Sequence, residues 1–274
     1  MTGSSFVLSF DDPQCRIVSL SGGKGASMAT MTQEGLPVPP GFVVTSAAFT
    51  AGVDQTRLGT YCRAGDMTGA REIVAAARPP ATIVAERYAA LNGLVAVRSS
   101  ACAEDSEGAS YAGQHESYLN VDGLPAVLDK IVECWLSFFT ERAVFYRAEK
   151  GSLDDVAIAV VVQQMIHSKK SGVLFTVDPV NGRKDRMVVE AAFGLGENVV
   201  DGELTPDHYS LDRKGTIKRS QIVGKQVLDE AELERLAALG RKLEEIQGRP
   251  QDIEWAFDQI GGLFLLQSRP ITTI

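Results

Sequence analysis

Four polar side chains near the end of the chain have the types and spacing for phosphate chemistry: Asp252, Glu254, Gln267 and Arg269. Asp252 and Glu254 alternate with Ile253 and Trp255, and Gln267 and Arg269 alternate with Leu266 and Ser268. On strands, that alternation sends each pair of polar groups to one face. Gln259, Ile260, Gly261 and Gly262 are turn residues between the two runs, so the segment is predicted to be a hairpin. A loop of those four residues sets Asp258 opposite Leu263, Glu254 opposite Gln267 and Asp252 opposite Arg269. A turn at Gly261-Gly262 alone shifts the pairs but keeps the polar groups on one face. Hard oxygens suit Mg²⁺ and a planar fork suits phosphate. The competing reading is a solvated strand face with a cross-strand ion pair.

Other segments carry weaker versions of the same chemistry. Ser21-Gly22-Gly23-Lys24-Gly25 is predicted between a strand and a helix, where backbone N–H groups, the helix start and a lysine can meet an anion. It is not a P-loop, because Val18 stands where that frame needs glycine. An ordinary glycine turn with a surface lysine is the alternative. Arg98 ends a buried strand and leads into a small, polar loop with Glu104, Asp105, Ser110, Ala112 and Gly113, suited to a lid over phosphates. Read structurally, Ser99 and Ser100 are helix caps and Arg98 an ion-pair partner. Residues 160–165 are apolar enough to wall an adenine ring, with Gln163 and Gln164 as polar handles, or are plain core. Glu190 ends a strand before Phe193-Gly194-Leu195-Gly196-Glu197 and either accepts from a ribose or is simply solvated. Val199 takes the third glycine position, so this is no Rossmann fingerprint. The histidines, His115, His167 and His208, have neither nucleophile nor metal-ligand spacing. His208 is predicted in a surface loop, and no catalytic role is assigned to any of the three.

The elements that must hold these residues read as follows. Strands are predicted over 6–10 and 16–20, a helix over 26–34 stopped by Gly35, and a strand over 42–45 after a proline-rich segment. Ser46 is a candidate cap for a short helix to residue 51. Helices follow over 71–77 and 81–91, a strand over 94–97, and helices over 124–139 and 141–149. Strands dominate thereafter, over 156–165, 173–177, 187–192 and 209–211, with one helix over 231–246 before the hairpin. The chain therefore divides into a helix-rich part, 1–155, and a sheet-rich part, 156–274, which a nucleotide could occupy jointly.

A chain of 274 residues with 45% apolar and 23% charged residues suits one large or two smaller α/β (α+β) domains. A net charge of −8 argues against a broad nucleic-acid surface, so anions must be met by local basic groups. Cys15, Cys62, Cys102 and Cys134 lack C-x-x-C spacing and read as free thiols in a reducing compartment. No targeting segment or membrane-length apolar run is visible, so the expectation is a soluble, cytoplasmic protein without a membrane partner.

Taken in order, the segments resemble the phosphoenolpyruvate synthase and pyruvate phosphate dikinase family across essentially the whole chain. Gly22-Gly23-Lys24-Gly25-Ala26, running into Gly35-Leu36-Pro37-Val38-Pro39-Pro40-Gly41-Phe42, resembles the family's opening. The Arg98 segment with Ser110-Tyr111-Ala112-Gly113-Gln114 resembles its second block. Val161 to Met165 with Ser171-Gly172-Val173-Leu174-Phe175-Thr176 resembles the third, Phe193 to Gly202 with Thr205-Pro206-Asp207 the fourth, and the hairpin the fifth.

The resemblance implies an ATP-grasp fold of two subdomains with ATP between them. It further implies that Lys24, Arg98 and Arg269 hold the triphosphate, that Glu254 and Gln267 hold Mg²⁺, and that Asp252 supports the hairpin or a second metal. Gln163, Gln164 and Met165 would border the adenine, Glu190 the ribose, and Ser110, Ala112 and Gly113 would close over the phosphates. Full-length members continue into a domain whose phosphoryl-carrying histidine follows a serine, and none of the three histidines here does. The resemblance therefore implies an ATP-binding subunit that passes a phosphoryl group to a separate phosphohistidine subunit. Such a two-subunit arrangement resembles phenylphosphate synthase and the 4-methylbenzyl phosphate synthase of aromatic compound catabolism. A fragment of a phosphoenolpyruvate synthase and a non-catalytic ATP sensor are the alternatives.

Overall fold

The computed structural model describes residues 5–102, 116–139, 158–194 and 205–272. Among these residues the chain forms two compact units, Met1–Gln33 with Pro40–Met165 and Glu34–Pro39 with Ile166–Ile274. Each has its own antiparallel sheet.

The first unit holds β1 (Val7–Ser9), α1 (Val18–Gln33), β2 (Gly41–Val44), α2 (Ser46–Gly52), α3 (Gln55–Ala64) and α4 (Met67–Ala75). It continues with α5 (Ala81–Ala89), β3 (Val95–Ala101), β4 (Ser117–Val121), α6 (Leu124–Leu136) and β5 (Ile158–Gln164). Its five strands run in the order β1-β2-β5-β3-β4. The unbroken apolar run of β5 is explained by burial on both faces. Ile158, Val160 and Val162 enter a core with Phe49 and Trp135, whose rings meet edge-on at 5.5 Å. The opposite face, with Val161 and Gln163, lies on the side where α1 packs.

The second unit orders its six strands β11-β10-β6-β7-β8-β9: β6 (Ser168–Phe175), β7 (Arg186–Phe193), β8 (Asp207–Asp212), β9 (Ile217–Gln221), β10 (Gln251–Asp258) and β11 (Leu263–Pro270). One helix, α7 (Glu230–Gln247), packs against β6 and β10. A reciprocal capping box between Asp229 and Glu232 starts it, and Gly248 in the left-handed region ends it. Its Leu233, Leu236, Ala237 and Leu243 are buried, and so are Ile253, Trp255 and Phe257 of β10. The proline-rich segment 34–39 belongs to this unit, and the Leu265 N–H donates to the Pro37 carbonyl at 2.8 Å. That bond covers part of a sheet edge that would otherwise be open.

Several elements differ from expectation. Residues 158–164 were placed with the sheet-rich second part, yet β5 is the central strand of the first sheet, so the division follows Met165. Its length fits the first sheet because β2 and β3 need a common partner between them. Residues 16–20 are not a strand: a 3₁₀ turn, Pro13–Arg16, capped by the Asp12 carboxylate, leads directly into α1. A short apolar run fits helix and strand alike, and the cap decides it. Thr45, not Ser46, occupies the cap position of α2, while the Ser46 hydroxyl donates to the Ser19 carbonyl at 2.7 Å. The prediction also omitted α3, β4 and β9. The predicted helix over 141–149 lies outside the described residues.

Candidate functional site

Strand pairing alone carries the polar groups of the second unit onto one face. Asp252 pairs with Arg269 and Glu254 with Gln267, the register expected for a four-residue loop. Nearer the turn a bulge intervenes, so Leu266 is left over and Phe257, not Asp258, faces Leu263. Across the sheet, Glu254 pairs with Val173, Val173 with Glu190, and Glu190 with His208. Directly opposed residues share a face, so Gln267, Glu254, Glu190 and His208 form one row, with Asp252 and Arg269 in the next. Gly172 keeps β6 and β7 this close: a Cβ there would lie 1.9 Å from the Glu190 carbonyl oxygen.

The electrostatics of this face are those of crowded acids. Burial pushes the Asp252 carboxyl up to about 6; Arg269 opposes that shift, and the charges of Glu254 and Glu190 add to it. The Arg269 guanidinium approaches Glu254 at 3.6 Å. Gln267 is only 4% exposed. A buried amide beside two neighbouring carboxylates, of which burial pushes Asp252 toward its neutral form, fits a divalent cation that would neutralise them. Among the described residues no three His, Cys, Asp or Glu side chains close on one point. The donor set is thus two carboxylates and an amide oxygen. It suits Mg²⁺, which keeps several waters and substrate phosphate oxygens in its shell.

The first unit builds a second polar centre. Helix α1 breaks at Gly22, whose φ of 69° leaves the helical region. A Cβ at Gly22 would lie 2.2 Å from the Ser100 hydroxyl oxygen and 2.4 Å from its carbonyl oxygen. The Ser100 hydroxyl fills the break, donating to the Ser21 carbonyl at 2.8 Å and accepting from the Gly25 N–H at 3.1 Å. The serine-cap reading of this segment is therefore realised by Ser100. The second segment of α1 starts at this cap and carries Lys24 in its first turn, only 7% exposed. A cation at a helix start reinforces the positive end of the helix dipole, an arrangement suited to an anion. On β3, Arg98 and Ser100 share the face opposite Val95 and Val97, which enter the core.

Gln163 stands on that same face, paired with Ala96, and its amide donates to the Met28 sulfur at 3.6 Å. The backbone N–H of Gln164 donates to the Pro40 carbonyl, and that of Met165 to the Leu94 carbonyl. Ser110, Ala112 and Gly113, the expected lid, lie outside the described residues. His208, expected in a surface loop, is on β8 instead, in the row of Glu190 and Glu254. Its signal in the sequence was the alternation of His208 and Ser210 with buried Tyr209 and Leu211. Asp207 was likewise passed over. Its carboxylate is buried and accepts from the Tyr209 hydroxyl at 2.9 Å and from the Val223 and Val227 N–H groups at 2.7 and 2.8 Å.

Comparison with known proteins places this geometry. The chain matches the family described as pyruvate phosphate dikinase, AMP/ATP-binding domain, over residues 18–227 and 216–274. It is 39% identical to a probable phosphoenolpyruvate synthase of Archaeoglobus fulgidus, over 94% of this chain and 40% of that protein. It is 35% identical to the rifampicin phosphotransferase of Bacillus cereus, over 99% of this chain and 36% of that protein. The chain thus spans less than half the length of these curated relatives. Among solved structures, an ATP-grasp ligase bound to its minimal precursor matches at a TM-score of 0.36 and 8% identity, over 95% of this chain and 55% of that one. The architecture mixes helices with two antiparallel sheets, as expected for the α/β (α+β) class. No helix among the described residues is long and apolar enough to cross a membrane.

Proposed function

The chain belongs to the family of pyruvate phosphate dikinase AMP/ATP-binding domains, and from that premise we propose that it is the nucleotide-binding part of a dikinase-type phosphotransferase. It takes MgATP and passes the β-phosphate, as a pyrophosphoryl group, to a histidine on a partner subunit. AMP leaves, water takes the γ-derived phosphate from the pyrophosphoryl histidine as inorganic phosphate, and the remaining phosphohistidine phosphorylates a small hydroxyl compound. The acceptor we favour is phenolic or benzylic. The supporting observation is the single sheet face that carries Asp252, Glu254, Gln267 and Arg269 together.

Asp252, Glu254 and Gln267 would hold Mg²⁺, which when bound supplies charge neutralisation along the phosphates. Arg269 presents a planar fork to the terminal phosphate oxygens, and its approach to Glu254 keeps it on the metal side of the face. Lys24 and Arg98 add positive charge for the triphosphate. Lys24 does so from the first turn of a helix segment, where the dipole favours an anion. Gln163, Gln164 and Met165 serve the adenine and Glu190 the ribose. Phosphoryl transfer asks a protein mainly for position and electrostatic stabilisation, and these residues supply both. We assign the phosphoryl-carrying histidine to a partner because none of His115, His167 and His208 follows a serine.

The reading is tested by mixing the protein with MgATP labelled at the β-phosphorus and with a phosphohistidine-domain partner. We expect AMP, inorganic phosphate and label on the partner's histidine. Formation of ADP with no AMP would overturn the dikinase assignment.

A further inference from the structure

His208 and Glu190 are directly opposed on β8 and β7, with imidazole Nδ1 3.7 Å from the carboxylate Oε1. We propose that the two side chains form a clamp for the vicinal diol of the nucleotide's ribose, which makes His208 a specificity-determining residue for ribonucleotides. The inference rests on the nucleotide reading of this sheet face given above.

Position carries the first part of the argument. His208 continues the row Gln267, Glu254, Glu190, on the face that holds the metal-binding candidates. Adjacent strands lie about 4.8 Å apart, so Glu190 stands roughly 10 Å from Glu254 and His208 roughly 14 Å. That spread matches a triphosphate extended along the row, with its terminal phosphate at the hairpin and its sugar at β7 and β8.

The second part is chemical. The side chains of His208 and Glu190 are 41% and 37% exposed, so neither is there to fill the core. Their separation exceeds hydrogen-bond reach, and neither makes another side-chain hydrogen bond among the described residues. Both therefore keep their polar atoms for a ligand. A carboxylate accepts only, whereas an imidazole both donates and accepts, so the pair can satisfy two neighbouring hydroxyls that each donate and accept. Loss of one hydroxyl would leave one partner unmet, the condition under which polar sites discriminate best.

The test is calorimetric titration of the wild-type chain, His208→Ala and His208→Gln with MgATP and with its 2′-deoxy and 3′-deoxy forms. The wild type should prefer MgATP to at least one deoxy form by roughly tenfold, the worth of one hydrogen bond in a polar site. His208→Ala should lose about that factor for MgATP and little for that deoxy form, so the preference collapses. His208→Gln, which retains a donor and an acceptor, should keep most of it. Equal weakening of ATP and both deoxy forms in His208→Ala, or an unchanged preference, would overturn the clamp while leaving the nucleotide site standing. Absence of MgATP binding by the wild type would overturn the nucleotide reading itself, and the clamp with it.

Discussion

Arg269 lies directly across the hairpin ladder from Asp252, yet its guanidinium reaches diagonally to Glu254, at 3.6 Å. One cation therefore serves two acids. It lowers the Asp252 carboxyl against the upward push of burial and holds Glu254 from the side. Arg269 is also half exposed, so its fork retains donors for a phosphate. Arg269→Ala should weaken binding of MgATP by about 10- to 100-fold, the range for a charge-assisted hydrogen bond. Binding of AMP should change little. Arg269→Lys should restore only part of the loss, because an ammonium cannot replace a bidentate fork. Calorimetric titration with each nucleotide checks this.

The raised carboxyl of Asp252 makes metal binding depend on pH. In the folded, metal-free protein this group holds its proton up to about 6, against 3.8 ordinarily. The native state therefore binds the proton more tightly than the unfolded chain does. Its contribution to stability is complete below the ordinary value and is lost as pH rises through about 6. Mg²⁺ needs the carboxylate and relieves the repulsion, so the rise in Tm on adding Mg²⁺ should grow between pH of about 5 and about 7. Asp252→Asn should raise the metal-free Tm at neutral pH and flatten that dependence. A Mg²⁺ effect independent of pH in the wild type would contradict the assignment.

Ser100 joins β3 to the broken helix α1 through two hydrogen bonds. Ser100→Ala leaves the Ser21 carbonyl and the Gly25 N–H buried without that partner, and should cost about 1–3 kcal/mol in urea unfolding. Gly22→Ala should be worse, because it combines a left-handed φ with a Cβ 2.2 Å from the Ser100 hydroxyl. Both variants should also lose affinity for ATP, since Lys24 stands in the turn they disturb.

Asp207 fastens the segment after β9 to β8 and takes no part in the polar face. Asp207→Ala strands two backbone N–H groups and the Tyr209 hydroxyl, and should cost about 2–4 kcal/mol. Thermal unfolding should show the loss. At a temperature where the variant is fully folded, its affinity for MgATP should stay near that of the wild type.

The register of the candidate hairpin face was legible because a hairpin is local. Alternation and turn residues specify Asp252 opposite Arg269 and Glu254 opposite Gln267 without reference to any other strand. The bulge near Leu266 was not legible, because it arises from packing and has no residue signature of its own. Helix α3 was legible in principle: Asp54 caps it and Gly65 ends it in the left-handed region. Its polar sequence, with few apolar residues, concealed it. The place of β5 could not be read, since a strand buried on both faces gives no clue to its neighbours. Nor could the role of Ser100, which depends on a contact spanning 79 positions to Ser21. His208 was missed for a related reason: its partner Glu190 is a cross-strand neighbour, and pairing between separate strands is not written in either one.

The most direct measurement is the affinity of the protein for ATP with and without Mg²⁺, compared between wild type and Glu254→Gln. The substitution preserves the shape of a residue that faces Gln267 and Arg269, and removes one charge from the face. The wild type should bind ATP at least about tenfold more tightly with Mg²⁺ than without it, a difference of roughly 1.4 kcal/mol. Glu254→Gln should lose most of that gain while binding metal-free ATP as well as the wild type or better. An unchanged Mg²⁺ enhancement in Glu254→Gln would contradict the placement of the metal and the terminal phosphate on this hairpin.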